Sequence, residues 1–192
     1  MTKACALNPQ AIDSNTYPET LPNVCVEGPR GPVCAWFSER GLSRLHLCGL
    51  DLCTLWNAAA IGMYRRRHHQ PTRNEADPRA ARLAAALRRY LQGEPEDFSD
   101  VEIDLSAGTE FQQAVWEAAR KVAWGRLSSY GDLARLIGRT TDTARAVGQA
   151  LGANPIAIVV PCHRFVASDG SLGGFSGGLE WKRALLRLEG HF

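Results

Sequence analysis

Three things are scarce in this 192-residue sequence, and each scarcity narrows what the chain does. No apolar run is long enough to cross a bilayer, and the N-terminal MTKACALNPQ lacks the basic start and apolar core of a secretory signal. The expectation is a protein inside a cell, cytoplasmic in a prokaryote or nuclear in a eukaryote. Cysteine is too sparse for a disulfide framework: six thiols, at positions 5, 25, 34, 48, 53 and 162, must each be core filler, ligand or nucleophile. Only Cys162 lies in the second half. Net charge is also small, at +2. Residues 1–104 hold 12 basic and 13 acidic side chains and residues 105–192 hold 10 and 7, a bias that permits nucleic-acid binding without requiring it. Internal repeats and low-complexity tracts are missing as well.

The elements that are present suggest an α+β chain in two parts. After an irregular arm, NVCVE (23–27) and PVCAWF (32–37) read as strands joined by a turn at Gly28-Pro29-Arg30-Gly31, with a third strand over Leu42–Leu47. RRRHHQPTRNE (65–75) reads as a solvated loop or helix end, with a phosphate patch or metal ligation by His68 and His69 as rarer alternatives. Asp77 and Pro78 open a helix carrying Leu83, Leu87, Tyr90 and Leu91 on one face, stopped by Gly93. The acidic GEPEDFSD (93–100) then reads as a linker.

The second half is mainly helical. Thr109 with Gln112 has capping-box spacing, and Phe111, Val115 and Val122 keep one face. Ser129 with Asp132 repeats the device, opening a helix that ends at Gly138. A second helix, from about Asp142 to Leu151, follows a short turn, which suggests a helix-turn-helix. That second helix is thin: Ala144, Ala146, Gly148 and Ala150 surround one long cation, Arg145. Close packing on a neighbour and close approach to a narrow groove both explain it.

The chemistry concentrates in NPIAIVVPCHRF (154–165). Strand-like apolar residues from Ile156 to Val160 meet Pro161, and then Cys162, His163 and Arg164 follow in succession. A thiol is a strong nucleophile only as thiolate, and an unperturbed pKa of about 8.5 leaves little of it near neutrality. Consecutive strand residues face opposite ways, so His163 reaches Cys162 only through a turn at Pro161 or a bridging water. The glycine-rich ASDGSLGGFSGG (167–178) lets backbone approach a ligand, with Phe175 and Ser176 suited to stack on and hydrogen-bond a planar base. It lacks the lysine of a P-loop and the Rossmann spacing. Glu189 ends the last helix, where a carboxylate opposes the helix dipole unless it has another task, such as orienting His163.

PCHR (161–164), with Asn154-Pro155 upstream and FSGG (175–178) downstream, closely resembles the O6-alkylguanine-DNA alkyltransferases. The resemblance extends through FQQAVWEAARKVAWGRLSSYGDLARLIG and TARAVGQALGANP, covering roughly residues 105–192. It implies a ribonuclease H-like N-terminal domain (1–98) and a DNA-binding, alkyl-acceptor domain (105–192) with a winged-helix-like helix-turn-helix. It also implies a monomer that binds duplex DNA in the minor groove and flips out O6-alkylguanine, or O4-alkylthymine. Cys162 then takes the alkyl group irreversibly, so each molecule acts once. His163 would act through water as base for Cys162, oriented by Glu189. Tyr130 would hydrogen-bond or protonate the leaving guanine, and Asn154 would hold the active-site turn. Ser176 would donate toward O6, Phe175 would stack, and the carbonyls of Cys162 and Phe165 would accept from the exocyclic amine. Arg145 would fill the gap left by the flipped base, with Ala144 and Gly148 in the groove and Ser129 as a further DNA contact. Arg164 reads as structural.

Two departures stand out: Phe165 replaces a common valine and Phe175 a common tyrosine. Some relatives hold zinc through two cysteines and two histidines. Cys5 and Cys25 have suggestive spacing, but Arg30 stands where a histidine is needed, so no metal and no cofactor are expected. Two other readings stay open: a non-catalytic DNA-binding module that senses alkylated bases or regulates transcription, and a Cys-His hydrolase.

Overall fold

The computed structural model describes residues 22–47 and 77–191. Strands β1 (Val24–Gly28), β2 (Gly31–Ser38) and β3 (Gly41–Leu47) form an antiparallel sheet in that order. Alternation decides its faces: Val24, Val26, Val33, Ala35, Leu45 and Leu47 point into the main core. Helix α1 (Pro78–Leu91) packs against β1. The second half holds α2 (Glu110–Ala119), α3 (Tyr130–Leu136), α4 (Ala144–Gly152) and α5 (Leu179–Leu188). A short parallel pair, β4 (Ser128–Ser129) with β5 (Phe165–Val166), joins them. The class is α+β, as the sequence pattern indicates.

The helix starts form as the capping residues dictate. The Asp77 carboxylate accepts from the Arg79 N–H at 2.8 Å, and both expected capping boxes, Thr109/Gln112 and Ser129/Asp132, are closed. Each cap satisfies a donor the helix leaves open and is worth about 1 kcal/mol.

The turn Gly28-Pro29-Arg30-Gly31 joins β1 to β2 as expected, with Gly28 and Gly31 paired across it. A Cβ on Gly28 would lie 2.8 Å from the Trp181 ring, so this corner tolerates no side chain. Three other expectations need correction. Helix α2 stops at Ala119, leaving Val122 beyond it. The second helix of the helix-turn-helix begins with a 3-10 turn over Thr141–Thr143 before α4. Most important, Ile156 to Val160 is not a strand. The run folds back on itself, with Val160 N–H donating to the Ile156 carbonyl at 2.9 Å and Ile158 at φ +70°. All five side chains are buried, so the composition reports burial rather than extension.

This turn is tied to the sheet. Leu45 N–H on β3 donates to the Pro155 carbonyl at 2.8 Å, and Leu42 exchanges bonds with Glu102 and Asp104 on the same edge. Residues 1–21 and 48–76 lie outside the described residues, and with them Cys5, Cys48, Cys53, His68, His69 and the 65–75 run. Among the described residues no helix is long and apolar enough to cross a membrane, and no group of three or more His, Cys, Asp or Glu is placed to hold a metal.

Candidate active site

The folded-back turn presents Cys162 as the first residue of a 3-10 turn, Cys162–Arg164. Asn154 builds it. Its side-chain N–H groups donate to the Val160 carbonyl at 2.9 Å and to Cys162 Sγ at 3.1 Å, while its Oδ1 accepts from Ile156 N–H at 3.0 Å. One amide therefore closes both ends of the turn and touches the sulfur. A β-branched residue with positive φ, as at Ile158, stores on the order of 1–2 kcal/mol, held in place by this surrounding network. Burial pushes the Cys162 thiol up to about 11, against the pull of the Asn154 hydrogen bond and the nearby Lys182 charge. The sulfur thus keeps its proton until a base removes it.

The imidazole expected to act as base stands next in the chain. His163 is fully buried, and its Nε2 lies 2.8 Å from Glu189 Oε1. A carboxylate in contact with Nε2 fixes the ring proton there and leaves Nδ1 as the basic atom. Nδ1 is buried and has no hydrogen-bond partner in the protein. Burial lowers the His163 pKa, the Glu189 hydrogen bond and charge oppose that, and the Arg164 and Lys182 charges add to the lowering. The ring is therefore neutral at physiological pH and able to accept.

Glu189 is a hub. Arg164 clasps it through Nε (2.9 Å to Oε2) and Nη2 (2.9 Å to Oε1), Gly125 N–H donates to Oε2 at 3.3 Å, and Tyr90 O–H donates to Oε1 at 2.8 Å. Burial alone would raise its pKa, but the hydrogen bonds from His163 and Arg164, with their charges, hold it at about 2. Arg164, expected to be structural, also donates to the Val122 carbonyl at 2.5 Å and so anchors the segment after α2 to the site.

Two further residues join this network. The sequence marks Tyr90 only as part of the apolar face of α1. Lys182 is fully buried and donates to the carbonyls of Phe165, at 2.6 Å, and Leu172. The periodicity held a signal for it: Lys182, Leu185, Leu186 and Glu189 follow i, i+3, i+4, i+7 spacing, so both charges ride the buried face of α5. Burial lowers the Lys182 pKa to about 8, partly offset by Cys162.

Tyr130 opens α3 immediately after β4, and β4 pairs with β5 just past the CHR turn, which brings the tyrosine to the thiol. Burial and the Cys162 charge both raise its pKa. The hinge closes over it: a Cβ on Gly173, where φ is +63°, would lie 2.7 Å from the Tyr130 hydroxyl. Phe175 is half-buried against the core, and Ser176 is exposed on the same hinge. The Cys162 carbonyl already accepts from Phe165 N–H, and the Phe165 carbonyl from Lys182, so each keeps one lone pair for a ligand.

On α4, Val147, Ala150 and Leu151 face the core and Arg145 is exposed, with Ala144 and Gly148 half-buried between. Gly148 lies beside the Tyr130 ring, 3.8 Å from where its Cβ would sit. Close packing on a neighbour is thus observed on one side of the thin helix. Ser129 is committed to its capping box, with its hydroxyl 2.7 Å from Asp132 Oδ2.

The fold and site together define an α+β protein with a buried Cys-His-Glu centre beside a helix-turn-helix. The family model described as 6-O-methylguanine DNA methyltransferase, DNA binding domain, matches residues 110–191. A methylated-DNA–protein-cysteine methyltransferase of Haemophilus influenzae is 49% identical over 108 residues, 56% of this chain and 59% of that protein. Its namesake in Mycobacterium tuberculosis is 47% identical over 124 residues, 63% of this chain and 73% of that protein. The crystal structure of Mycobacterium tuberculosis OGT in complex with DNA superposes with a TM-score of 0.65 at 36% identity, covering 86% of this chain and 90% of that one. The O6-methylguanine-DNA methyltransferase of Pyrococcus kodakaraensis gives 0.57 at 26%, covering 86% and 95%. The chain belongs to the methylated-DNA–protein-cysteine methyltransferase family.

Proposed function

We propose that this protein repairs DNA by direct reversal, moving the alkyl group of O6-alkylguanine in duplex DNA onto its own Cys162. The single observation that carries the reading is the setting of Cys162: a buried thiol held by the Asn154 amide beside a neutral, Glu189-bound His163, in a chain of the methyltransferase family. An O6 substituent inside a duplex is out of reach, so the base must leave the stack. The exposed Arg145 on α4 fills the gap, while the small residues Ala144 and Gly148 let the helix lie in the minor groove.

The thiol proton passes through a water to His163 Nδ1, and the imidazolium that forms is stabilised by Glu189. Cys162 Sγ attacks the alkyl carbon, the S–C bond forms as the C–O6 bond breaks, and the electron pair leaves with guanine. Tyr130 supplies the proton the departing base needs and is restored from the relay, so the thiol proton ends on guanine. Ser176 and the carbonyls of Cys162 and Phe165 hold the base edge, and Phe175 covers its face. The thioether has no route back to thiol, so each molecule reacts once. In this division residues 105–192 bind DNA and accept the alkyl group, while residues 1–98 support them. DNA as substrate puts the protein with the chromosome, in the cytoplasm of a prokaryote or the nucleus of a eukaryote. The same pocket extends to O4-alkylthymine, whose alkyl ether has like chemistry.

The test is an adduct measurement. The protein and its Cys162→Ala variant are incubated with an O6-methylguanine duplex and digested with trypsin. A methyl group on the peptide spanning residues 146–164 of the wild type alone supports the reading. An unmodified wild-type peptide, with the lesion still in the DNA, refutes it and leaves the non-catalytic sensor.

A further inference from the structure

We infer that Tyr90, on α1 in the N-terminal half, is a positioning residue for activation of Cys162, bridging Glu189 and His163 through its hydroxyl. The inference rests on the proposed alkyl transfer, because the relay it completes serves that step. Every other member of the relay lies in the second half of the chain.

The geometry is specific. Tyr90 O–H donates to Glu189 Oε1 at 2.8 Å, and the same oxygen atom of the tyrosine lies 3.1 Å from His163 Nε2. Nε2 and Oε1 are themselves 2.8 Å apart, so the three atoms form a closed triangle with no water-sized gap. The tyrosine is fully buried, and its ring is held edge-on by Trp124 at 5.0 Å and tilted against Phe98 at 5.5 Å. A hydroxyl so fixed cannot rotate away to find other partners.

Two consequences follow from elementary hydrogen bonding. The hydroxyl has one proton, which goes to the carboxylate, so its lone pairs face Nε2–H. That places an acceptor on Nε2 from two sides and makes the Nδ1-basic tautomer the only one without a clash of donors or acceptors. Second, Tyr90 shares the negative charge of Glu189 Oε1 with Arg164, which tempers how strongly Glu189 holds a proton on the imidazole. The charged and titratable groups facing His163 are Glu189, Arg164, Lys182 and Tyr90 itself. Of these, Tyr90 alone can be stripped of its polar atom without altering the packing, by Tyr90→Phe.

The experiment compares wild type and Tyr90→Phe in single-turnover transfer from free O6-benzylguanine between pH 5 and 9, with ring 15N shifts of His163 recorded over the same range. Loss of the hydroxyl leaves Glu189 a stronger partner for the imidazolium, so the His163 pKa rises. The acid limb of the rate profile should move up by about half a pH unit, a roughly 3-fold extra loss of rate below the limb. The 15N shifts should show the same rise in the His163 pKa, with the proton of the neutral ring still on Nε2. Tyr90→Leu, which removes the ring as well, should add a fall in melting temperature that Tyr90→Phe does not show. Superimposable pH profiles and the same His163 pKa in wild type and Tyr90→Phe would overturn the inference while leaving alkyl transfer intact. Should the wild type fail to react with any O6-alkylguanine, the transfer reading falls, and the 15N shifts still decide whether Tyr90 tunes the imidazole.

Discussion

Asn154 and Cys162 stand eight residues apart in the chain and 3.1 Å apart at Nδ2 and Sγ. The distance is short because the five apolar residues between them and Pro161 double back rather than extend. A donor aimed at sulfur favours thiolate over thiol, so this contact couples the shape of the turn to the reactivity of the nucleophile.

Replacing Asn154 tests that coupling. Asn154→Asp turns a donor toward Sγ and the Val160 carbonyl into an acceptor, leaving both without a partner, at about 1–3 kcal/mol for each buried group. We expect the thiol pKa to rise further, measured by the pH dependence of iodoacetamide alkylation, and alkyl transfer to slow by at least ~10-fold. Unchanged thiol reactivity in a folded variant would remove Asn154 from the activation of sulfur.

Gly173 tests the lid over Tyr130. Gly173→Ala sets a methyl group 2.7 Å from the tyrosine hydroxyl and strains a backbone at φ +63°. Transfer from O6-benzylguanine should fall, while iodoacetamide alkylation of Cys162, which needs no leaving-group proton, should not. Equal losses in both reactions would mean that the substitution disturbs the thiol itself.

Arg145 separates DNA handling from chemistry. It is exposed on α4 and away from the Cys-His-Glu centre. Arg145→Ala should slow repair of an O6-methylguanine duplex by ~10-fold or more, the scale of about 1–3 kcal/mol for one specific contact to DNA. Reaction with the free base should be nearly untouched. Parallel slowing on both substrates would contradict a role in the base gap.

Glu189 links the site to acid stability. Its carboxyl is held at about 2 in the folded protein against an ordinary value of 4.5. A depressed acid pKa contributes stability fully above 4.5, and that contribution drains as pH falls from 4.5 through 2. The size is on the order of 3 kcal/mol. Urea unfolding should therefore weaken across that window in the wild type, whereas Glu189→Gln should be weaker at pH 7 and show a flatter dependence below pH 4.5. Parallel acid profiles for the two proteins would argue against the linkage.

Local signals in the sequence reached the helix starts, because capping boxes and Asp77-Pro78 act over three or four residues. They also reached the three strands of the meander, whose buried faces alternate. Ile156 to Val160 misled for a physical reason: a tight turn sunk in the core needs the same apolar residues as a buried strand, and only long-range contacts separate them. The pairing of His163 with Glu189 was foreseen from the resemblance and from a carboxylate badly placed for its helix dipole. Tyr90 could not be, since a tyrosine on an apolar helix face looks the same whether or not its hydroxyl meets a partner 99 residues away. Lys182 was legible in principle, as a cation at a buried helical position.

The bonds from β3 to residues 102–104 and 155 have a meaning beyond catalysis. A strand edge with open N–H and C=O groups is a template for another chain to add to, and folded proteins close such edges. Here the reactive turn itself helps close it, with the Pro155 carbonyl taking up the Leu45 N–H. Substitutions that loosen the turn would therefore unmask a sticky ribbon as well as blunt a thiol, and insolubility would accompany lost repair.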